Sequence, residues 1–452
     1  MSAASRGGNA VLWKAGYRLL LWLSFPLLLL RLWRRGRAEP GYREAIGQRF
    51  GWYGQVAPHS DQPLLWLHAV SVGETRAAQP LVAALARQYP HHRWLITHMT
   101  ATGRDTARQL YGDMPGVSFA WLPYDYPSAM RRFLRFFRPA LGVVMETEIW
   151  PGLLAQCRRA AVPVLLANAR LSERSERGYA RIAPLARAAL GDFAAIAAQG
   201  ADDARRLIEL GAKPATTTVT GNLKFDAPVE DGSATPGCSP RERGTTLRER
   251  STTFGARIGA RKVLLAASTR EGEEELLLAA LQQRPLPDGA LLLIVPRHPQ
   301  RFDEVASQLG PRGLRYARRS DPEGAWDNCE VLLGDSMGEM PDYYRAADCA
   351  FIGGSLLPLG GQNLIEACAL GVPVLIGPHT FNFAQAAEEA VAAGAARRVA
   401  DAAGVMQAAA ELLRDEAARL RMSEAGLAFV AAHRGATART VAICQRLLEN
   451  PG

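Results

Sequence analysis

From residue 64 onward the chain alternates short, continuous apolar runs with longer stretches in which apolar residues return every three or four positions. The runs 64–70, 93–98, 118–121, 141–145, 163–167, 194–198 and 217–220 predict strands, with helices between most of them. Leu141-Gly142-Val143-Val144-Met145 shows no polar alternation, so it predicts a strand buried on both faces, as in a parallel sheet. The pattern stops over residues 226–260, which are rich in Pro, Gly, Ser, Thr, Arg and Glu and predict an interdomain linker. A second series begins at Lys262–Ala267 and continues through 290–295, 329–333, 348–352 and 372–376, and the chain closes in helices from about 401 to 448. The expected class is α/β: two doubly wound, Rossmann-like domains, at 55–225 and 261–452, with strand-end loops facing each other across a cleft.

The first 54 residues follow a different pattern. Leu19 to Leu30 carries no charge, lies between Arg18 and Arg31, and is accompanied by Trp13, Trp22 and Trp33. Twelve helical residues reach only about 18 Å, against a hydrocarbon core of about 30 Å. A span over 11–33 would have to bury Lys14 and Arg18 and accept Pro26. A helix lying in the membrane interface, with tryptophans at headgroup level and arginines on anionic lipid, is the expectation. If the segment does span, its arginines keep the following chain cytoplasmic. No Ala-x-Ala site follows Leu30, which argues against a cleaved signal peptide.

Charge sharpens this picture. The chain has a net charge of +9, but residues 1–54 hold nine basic against two acidic residues, leaving +2 for the remaining 398. Basicity concentrated in the most apolar segment points to a membrane surface and away from nucleic acid. With 48% hydrophobic and 21% charged residues, the remainder is ordinary globular protein. The six cysteines contain no Cys-x-x-Cys pair and the eight histidines no His-x-x-x-His spacing, so no metal site or disulfide framework is expected.

The candidate chemistry sits where strands give way to helices. Ser71-Val72-Gly73-Glu74 follows the first strand, and two readings of it stay open. Glu74 is placed to serve as a general base at a sheet's carboxyl edge. Equally, Ser71-x-x-Glu74 is a capping box, with the carboxylate reaching back to the Ser71 amide. Glu146-Thr147-Glu148-Ile149-Trp150-Pro151 offers two further acids, of which Glu148 suits a helix start capped by Thr147, while Glu146 is left less explained. Asn168-Ala169-Arg170 and Gly221-Asn222-Leu223-Lys224 complete the first set. In the second domain, Ser268–Glu274 opens a helix whose amides suit a phosphate, although Ser268-x-x-Glu271 is also a capping box. Arg297 supplies a cation at a strand end, and Gly353-Gly354 and Gly360-Gly361-Gln362-Asn363 supply bare backbone before Glu366, which is placed to accept both hydroxyls of a ribose. Neither a Gly-x-Gly-x-x-Gly dinucleotide fingerprint nor a P-loop is present.

Taken together these motifs resemble the 3-deoxy-D-manno-octulosonic acid (Kdo) transferases of Gram-negative bacteria. The resemblance rests on His-Ala-Val-Ser-Val-Gly-Glu (68–74), Met-Glu-Thr-Glu-Ile-Trp-Pro (145–151), Ala-Asn-Ala-Arg-Leu-Ser (167–172) and Gly-Asn-Leu-Lys-Phe-Asp (221–226). Val-Pro-Arg-His-Pro (295–299), Met-Gly-Glu (337–339) and Gly-Pro-His-Thr-Phe-Asn-Phe (377–383) extend it over nearly the whole chain. It implies the GT-B fold and an inverting, metal-independent transfer of Kdo from CMP-Kdo to a lipid A precursor (lipid IVA), at the cytoplasmic face of the inner membrane, in lipopolysaccharide biosynthesis. It implies Glu74 as catalytic base, with Glu146 and Lys224 supporting the transition state. Ser268, Pro296, Arg297, Met337, Gly338, Glu339, Asn363 and Glu366 would bind the donor, with no cofactor. The family commonly has histidine where this chain has Gln362, which donates a hydrogen bond but cannot carry positive charge. The alternatives are another GT-B transferase or a 2-epimerase using a UDP-sugar, or a membrane-anchored binding protein without chemistry.

Overall fold

The structure is a computed structural model, and it describes Trp13, residues 15–54, 61–227, 254–321, 324 and 326–449. Most of the expected linker, residues 228–253, lies outside the described residues. The chain divides into two compact units: residues 1–227 with 434–452, and residues 228–433.

The first unit is built on a parallel sheet of seven strands: β1 (Leu64–His68), β2 (Arg93–His98), β3 (Val117–Trp121), β4 (Leu141–Met145), β5 (Val164–Ala169), β6 (Ala195–Ala198) and β7 (Thr217–Val219). Their spatial order is β3-β2-β1-β4-β5-β6-β7. β1 and β4 are buried along their whole length, as their unbroken apolar runs require. Gly142 in the middle of β4 is there for its neighbour. A Cβ at that position would lie 2.7 Å from Cε3 of the fully buried Trp66 on β1. Trp66 in turn donates its indole N–H to Thr97 Oγ1 at 2.8 Å, so its ring cannot retreat without losing that bond.

The second unit repeats the plan with β8 (Val263–Thr269), β9 (Leu291–Pro296), β10 (Tyr316–Arg318), β11 (Val331–Leu333), β12 (Cys349–Ile352), β13 (Val374–Ile376) and β14 (Ala396–Arg398). All pairs are parallel, in the order β10-β11-β9-β8-β12-β13-β14. The two outermost strands, β10 and β14, have no counterpart in the apolar pattern. Each has three residues with only one fully buried, and such edge segments carry no continuous apolar run.

The closing helices do not all belong to the second unit, as the sequence suggested. Helix Glu416–His433 does, but Ala436–Glu449 packs on the first unit. Ala436, Ile443 and Cys444 enter the first unit's core beside Leu81 and Leu85. Asp226 accepts the amides of Gly435 at 2.8 Å and Thr437 at 2.6 Å, which starts this helix from the far side of the chain. The apolar stripe was legible; which sheet it would cover was not.

The amino-terminal segment forms helix Ala15–Leu23 and helix Phe25–Ala38, bent by 48° at Ser24. Pro26 near the start of the second helix lacks the N–H that a continuous helix would need there. Neither helix alone is long and apolar enough to cross a membrane, although the bent pair passes by length and composition. One side is tied to the first unit: Tyr17 donates to Asp125 Oδ2 at 2.7 Å, and Tyr126 donates to the Leu21 carbonyl at 2.8 Å. The other leaves Leu19, Leu20, Trp22, Leu23 and Leu27 at least 60% exposed.

Replacing Gly142 by alanine is expected to destabilise the protein by about 1–3 kcal/mol, the usual range for overpacking a rigid core. A lowered urea midpoint for unfolding of the first unit checks it.

Candidate active site

In the first sheet the chain runs from β1 to β2 and β3 on one flank, then returns to β4 on the other. The carboxyl ends of β1 and β4 therefore lie side by side, paired Leu65 to Leu141 and His68 to Val144, with their loops leaving in opposite directions. Glu74 comes from the first of these loops and Glu146 from the second.

Both local readings of Glu74 are realised in one geometry. Ser71 is the N-cap of helix Val72–Ala77, its Oγ accepting the Glu74 amide at 3.4 Å. The Glu74 carboxylate turns back as a capping box would, but one residue further than expected. Its Oε2 accepts the Val70 amide at 2.7 Å and its Oε1 the Ser71 hydroxyl at 3.0 Å. Burial, then the nearby charge of Glu146, push the Glu74 carboxyl up to about 8; the Val70 amide opposes them, and Glu148 adds to the rise. A helix start by itself favours an ionised carboxylate, but here the balance goes the other way. Desolvation outweighs the few aligned dipoles of a six-residue helix.

Glu146 is held differently. Its backbone is left-handed, at φ 55°, and its amide donates to Ala167 on β5 at 2.9 Å. The buried carboxylate meets Lys224 Nζ at 3.3 Å and Arg170 Nε at 3.1 Å. Lys224 owes its position to Asn168, which is left-handed at a bulge in β5 and accepts the Leu223 amide on Oδ1 at 3.0 Å. Thr147 does not cap the next helix, which begins at Pro151. Asp125, from the loop after β3, accepts the amides of Gly152 at 2.7 Å and Leu153 at 2.6 Å instead. Glu148 accepts the Trp150 indole N–H at 2.6 Å.

In the second unit the order reverses between β8 and β12. Ser268 is left-handed at φ 55°, at a register shift of β8 against β9. The capping box expected at Ser268 and Glu271 does not form, because the helix starts at Glu273 behind a left-handed Gly272. Glu273 is fully buried and does another task. Its carboxylate accepts the amides of Gly354 at 2.5 Å, Arg270 at 2.9 Å and Leu356 at 3.0 Å, tying the loops after β8 and β12 together. Gly353 is required by the same contact, since a Cβ there would lie 2.6 Å from the Thr269 Cα.

The remaining donor candidates fall along this edge. Pro296 ends β9 and the Arg297 amide donates to Thr269 at 2.9 Å. Met337 is 61% exposed beside a left-handed Gly338. Glu339 is engaged by Ser336 and, at 3.2 Å, by Tyr343 from its own turn, and by Arg319 from the end of β10 at 2.9 Å. Asn363 donates to an exposed Glu366 at 2.9 Å, and Gln362 and Arg270 both approach Gly354, where a Cβ would lie 3.2 and 3.5 Å from them. Sequence reasoning missed Asp125, Glu273 and His98. Asp125 caps a helix from 27 residues away and Glu273 reaches loop amides 81 and 83 residues away, contacts without a local signature; His98 is taken up below.

Three comparisons bear on this geometry. Residues 44–227 match the family model described as 3-deoxy-D-manno-octulosonic-acid transferase (kdotransferase), and residues 290–428 match glycosyl transferases group 1. The 3-deoxy-D-manno-octulosonic acid transferase of Bordetella pertussis is 46% identical over 435 residues, covering 94% of this chain and 97% of the relative. That of Haemophilus influenzae is 36% identical, covering 97% and 99%. Among solved structures, the UDP-GlcNAc 2-epimerase from Neisseria meningitidis bound to UDP-GlcNAc superposes with a TM-score of 0.57. At 17% identity, over 85% of this chain and all of that one, it shares the fold alone. Two doubly wound units with acids and cations at their switch points define a GT-B glycosyltransferase. The chain belongs to the 3-deoxy-D-manno-octulosonic acid transferase family.

His68 and His98 are buried, and burial above all holds them down, to about 3 and about 4. Both stay neutral in the folded protein and charge on unfolding below pH 6.5, so their contribution is lost as pH falls from about 6.5 towards 4. Glu74, raised on folding, pulls the other way between about 4.5 and 8. His68→Asn is expected to flatten the decline of stability between pH 6 and 5 by about 1.4 kcal/mol per pH unit. Urea midpoints across that range measure it.

Proposed function

We propose that this chain transfers Kdo from CMP-Kdo to a lipid A precursor, lipid IVA, without a metal, at the cytoplasmic face of the inner membrane. The observation that carries the reading is the contrast between Glu74 and Glu146. Glu146 is matched by two cations, whereas Glu74 is buried against neutral donors and so is a stronger base than a solvated carboxylate. In this reading the acceptor hydroxyl attacks the anomeric carbon of Kdo, a carbon–oxygen bond forms, and the bond to CMP breaks with the electron pair leaving on its phosphate. Glu74 takes the hydroxyl proton, and the configuration inverts.

Glu146 and Lys224 stabilise charge developing at the sugar, Lys224 as partner for the Kdo carboxylate or departing phosphate. CMP leaves as a phosphomonoester, so cationic side chains and backbone amides suffice to receive it. Ser268, Pro296, Arg297, Met337, Gly338 and Glu339 bind the donor together with Asn363, and the exposed Glu366 takes the ribose. Family membership favours this donor over a UDP-sugar, for which the epimerase neighbours give only a shared fold.

The same reading gives the exposed leucines and Trp22 of the amino-terminal helices a place in the membrane interface, where the lipid acceptor resides.

Glu74→Gln is expected to reduce turnover by about 10²–10⁴-fold while CMP affinity stays within about twofold of wild type. Normal turnover in that variant would reduce Glu74 to a helix cap. In the wild type, kcat/KM should climb about tenfold per pH unit and level off above about pH 8. Leu20→Asp combined with Leu23→Asp is expected to release the protein from anionic vesicles in a flotation assay with CMP binding intact. Equal loss of both would make the segment part of the fold.

A further inference from the structure

Of the two bonds that aim the Glu74 carboxylate, the shorter comes from the first peptide plane beyond β1, and the other from the Ser71 hydroxyl. Val70 N–H donates to Glu74 Oε2 at 2.7 Å. That N–H shares a rigid trans peptide with the Ala69 carbonyl, so the two point in opposite directions and fixing one fixes the other. The Ala69 carbonyl is gripped by the buried His98, whose Nδ1 lies 2.8 Å away and must carry the proton, because a carbonyl can only accept. The next plane is gripped too, with the Thr100 hydroxyl donating to the Val70 carbonyl at 2.7 Å. Gly103 lets the helix that begins after Thr100 come this close, since a Cβ there would lie 2.9 Å from the Val70 carbonyl oxygen.

We infer that His98 is a positioning residue for the base: through the Ala69–Val70 peptide it orients the Val70 N–H onto Glu74 Oε2. The inference rests on the reading of Glu74 given above. The neutral imidazole is suited to this, as it donates a directed N–H without placing a charge beside the base. Donation to the Ala69 carbonyl also polarises the peptide and strengthens the N–H on its far side. Burial above all keeps His98 neutral, Arg104 and Arg108 on helix Ala101–Tyr111 add to it, and Thr97 and His68 pack on the same strand ends. Glu74 itself is faced by Glu146 and Glu148 from the loop after β4, with Lys224 and Arg170 holding Glu146. His98 and Thr100 bring in the strand end on the other side of β1 from those acids.

The test compares His98→Leu, which removes the donor, with His98→Asn, whose side-chain amide puts an N–H where Nδ1 was. Loss of the Val70 bond disfavours the ionised carboxylate, so the rising limb of kcat/KM moves to higher pH in His98→Leu. A limb displaced upward by about one pH unit lowers kcat/KM at pH 7 about tenfold and leaves the high-pH plateau in place. His98→Asn restores the wild-type limb. An unmoved limb, a loss equal at every pH, or an Asn variant no better than Leu would overturn the inference. Should His98→Leu fail to fold, Thr100→Val, which frees the second plane, must displace the limb in the same direction, and an unmoved limb there is equally fatal. The carboxyl titration of Glu74, followed by carbon NMR of glutamate-labelled protein and assigned by its absence in Glu74→Gln, reads the same shift without turnover. If Glu74→Gln stays active the base assignment fails, while the NMR shift in His98→Leu still decides this inference.

Discussion

A parallel strand cannot be joined to its neighbour by a tight turn, so the chain must leave each carboxyl end and return by a crossover. Where the strand order reverses, between β1 and β4 and again between β8 and β12, two adjacent ends are left with loops that diverge. Glu74 and Glu146 stand in the first of those places, and Ser268 and Gly353 in the second. Backbone strain collects there as well. Among the described residues six non-glycines have left-handed φ; Glu146 after β4 and Ser268 in β8 stand at these reversals, and Asn168 stands in β5 beside the first. Each is held by a neighbouring segment: Glu146 through Ala167 on β5, Asn168 through Leu223 after β7, and Ser268 beside the close approach of Gly353 after β12. A sheet stiff enough to enforce such conformations can also fix the direction of a side chain.

The two acids of the first unit illustrate how one edge makes different groups from the same residue type. Glu146 faces Lys224 and Arg170, and charge is met by charge. Glu74 receives one amide and one hydroxyl, too little to offset its desolvation, and so holds its proton more tightly. Two carboxylates in unlike surroundings, one met by cations and one by neutral donors, are suited to different roles. In the second unit Glu273 shows a third use of a buried carboxylate. Glu273 is buried to collect three amides from the loops after β8 and β12, a purely architectural task that sets the backbone near Arg270, Gly354 and Gln362.

Much of this was legible in the chain. The unbroken runs at 64–70 and 141–145 announced buried parallel strands, and the polar breaks after them marked the loops that matter, because burial on two faces leaves little freedom in composition. The motif residues Glu74, Glu146 and Lys224 could be named before their geometry was known, and Glu146 and Lys224 prove to be in contact. Three-residue edge strands such as β10 and β14 were invisible, since they bury too little to impose a pattern. Caps drawn from distant sequence were equally hidden. Local spacing proposed Thr147 and Ser268, while the structure uses Asp125 for one helix and starts the other behind Gly272.

The sequence by itself determined the two repeats of strand and helix, the apolar and basic amino terminus, and the motifs that mark the family, because all of these are properties of short segments. Tertiary structure alone decided which sheet the last helix covers, and which cations stand against which carboxylate. It decided also that Glu74 lies in surroundings that raise it to about 8, where a helix start read in isolation predicts an ionised acid. Desolvation and pairing depend on what the rest of the fold brings to within a few ångströms, and no local pattern carries that information.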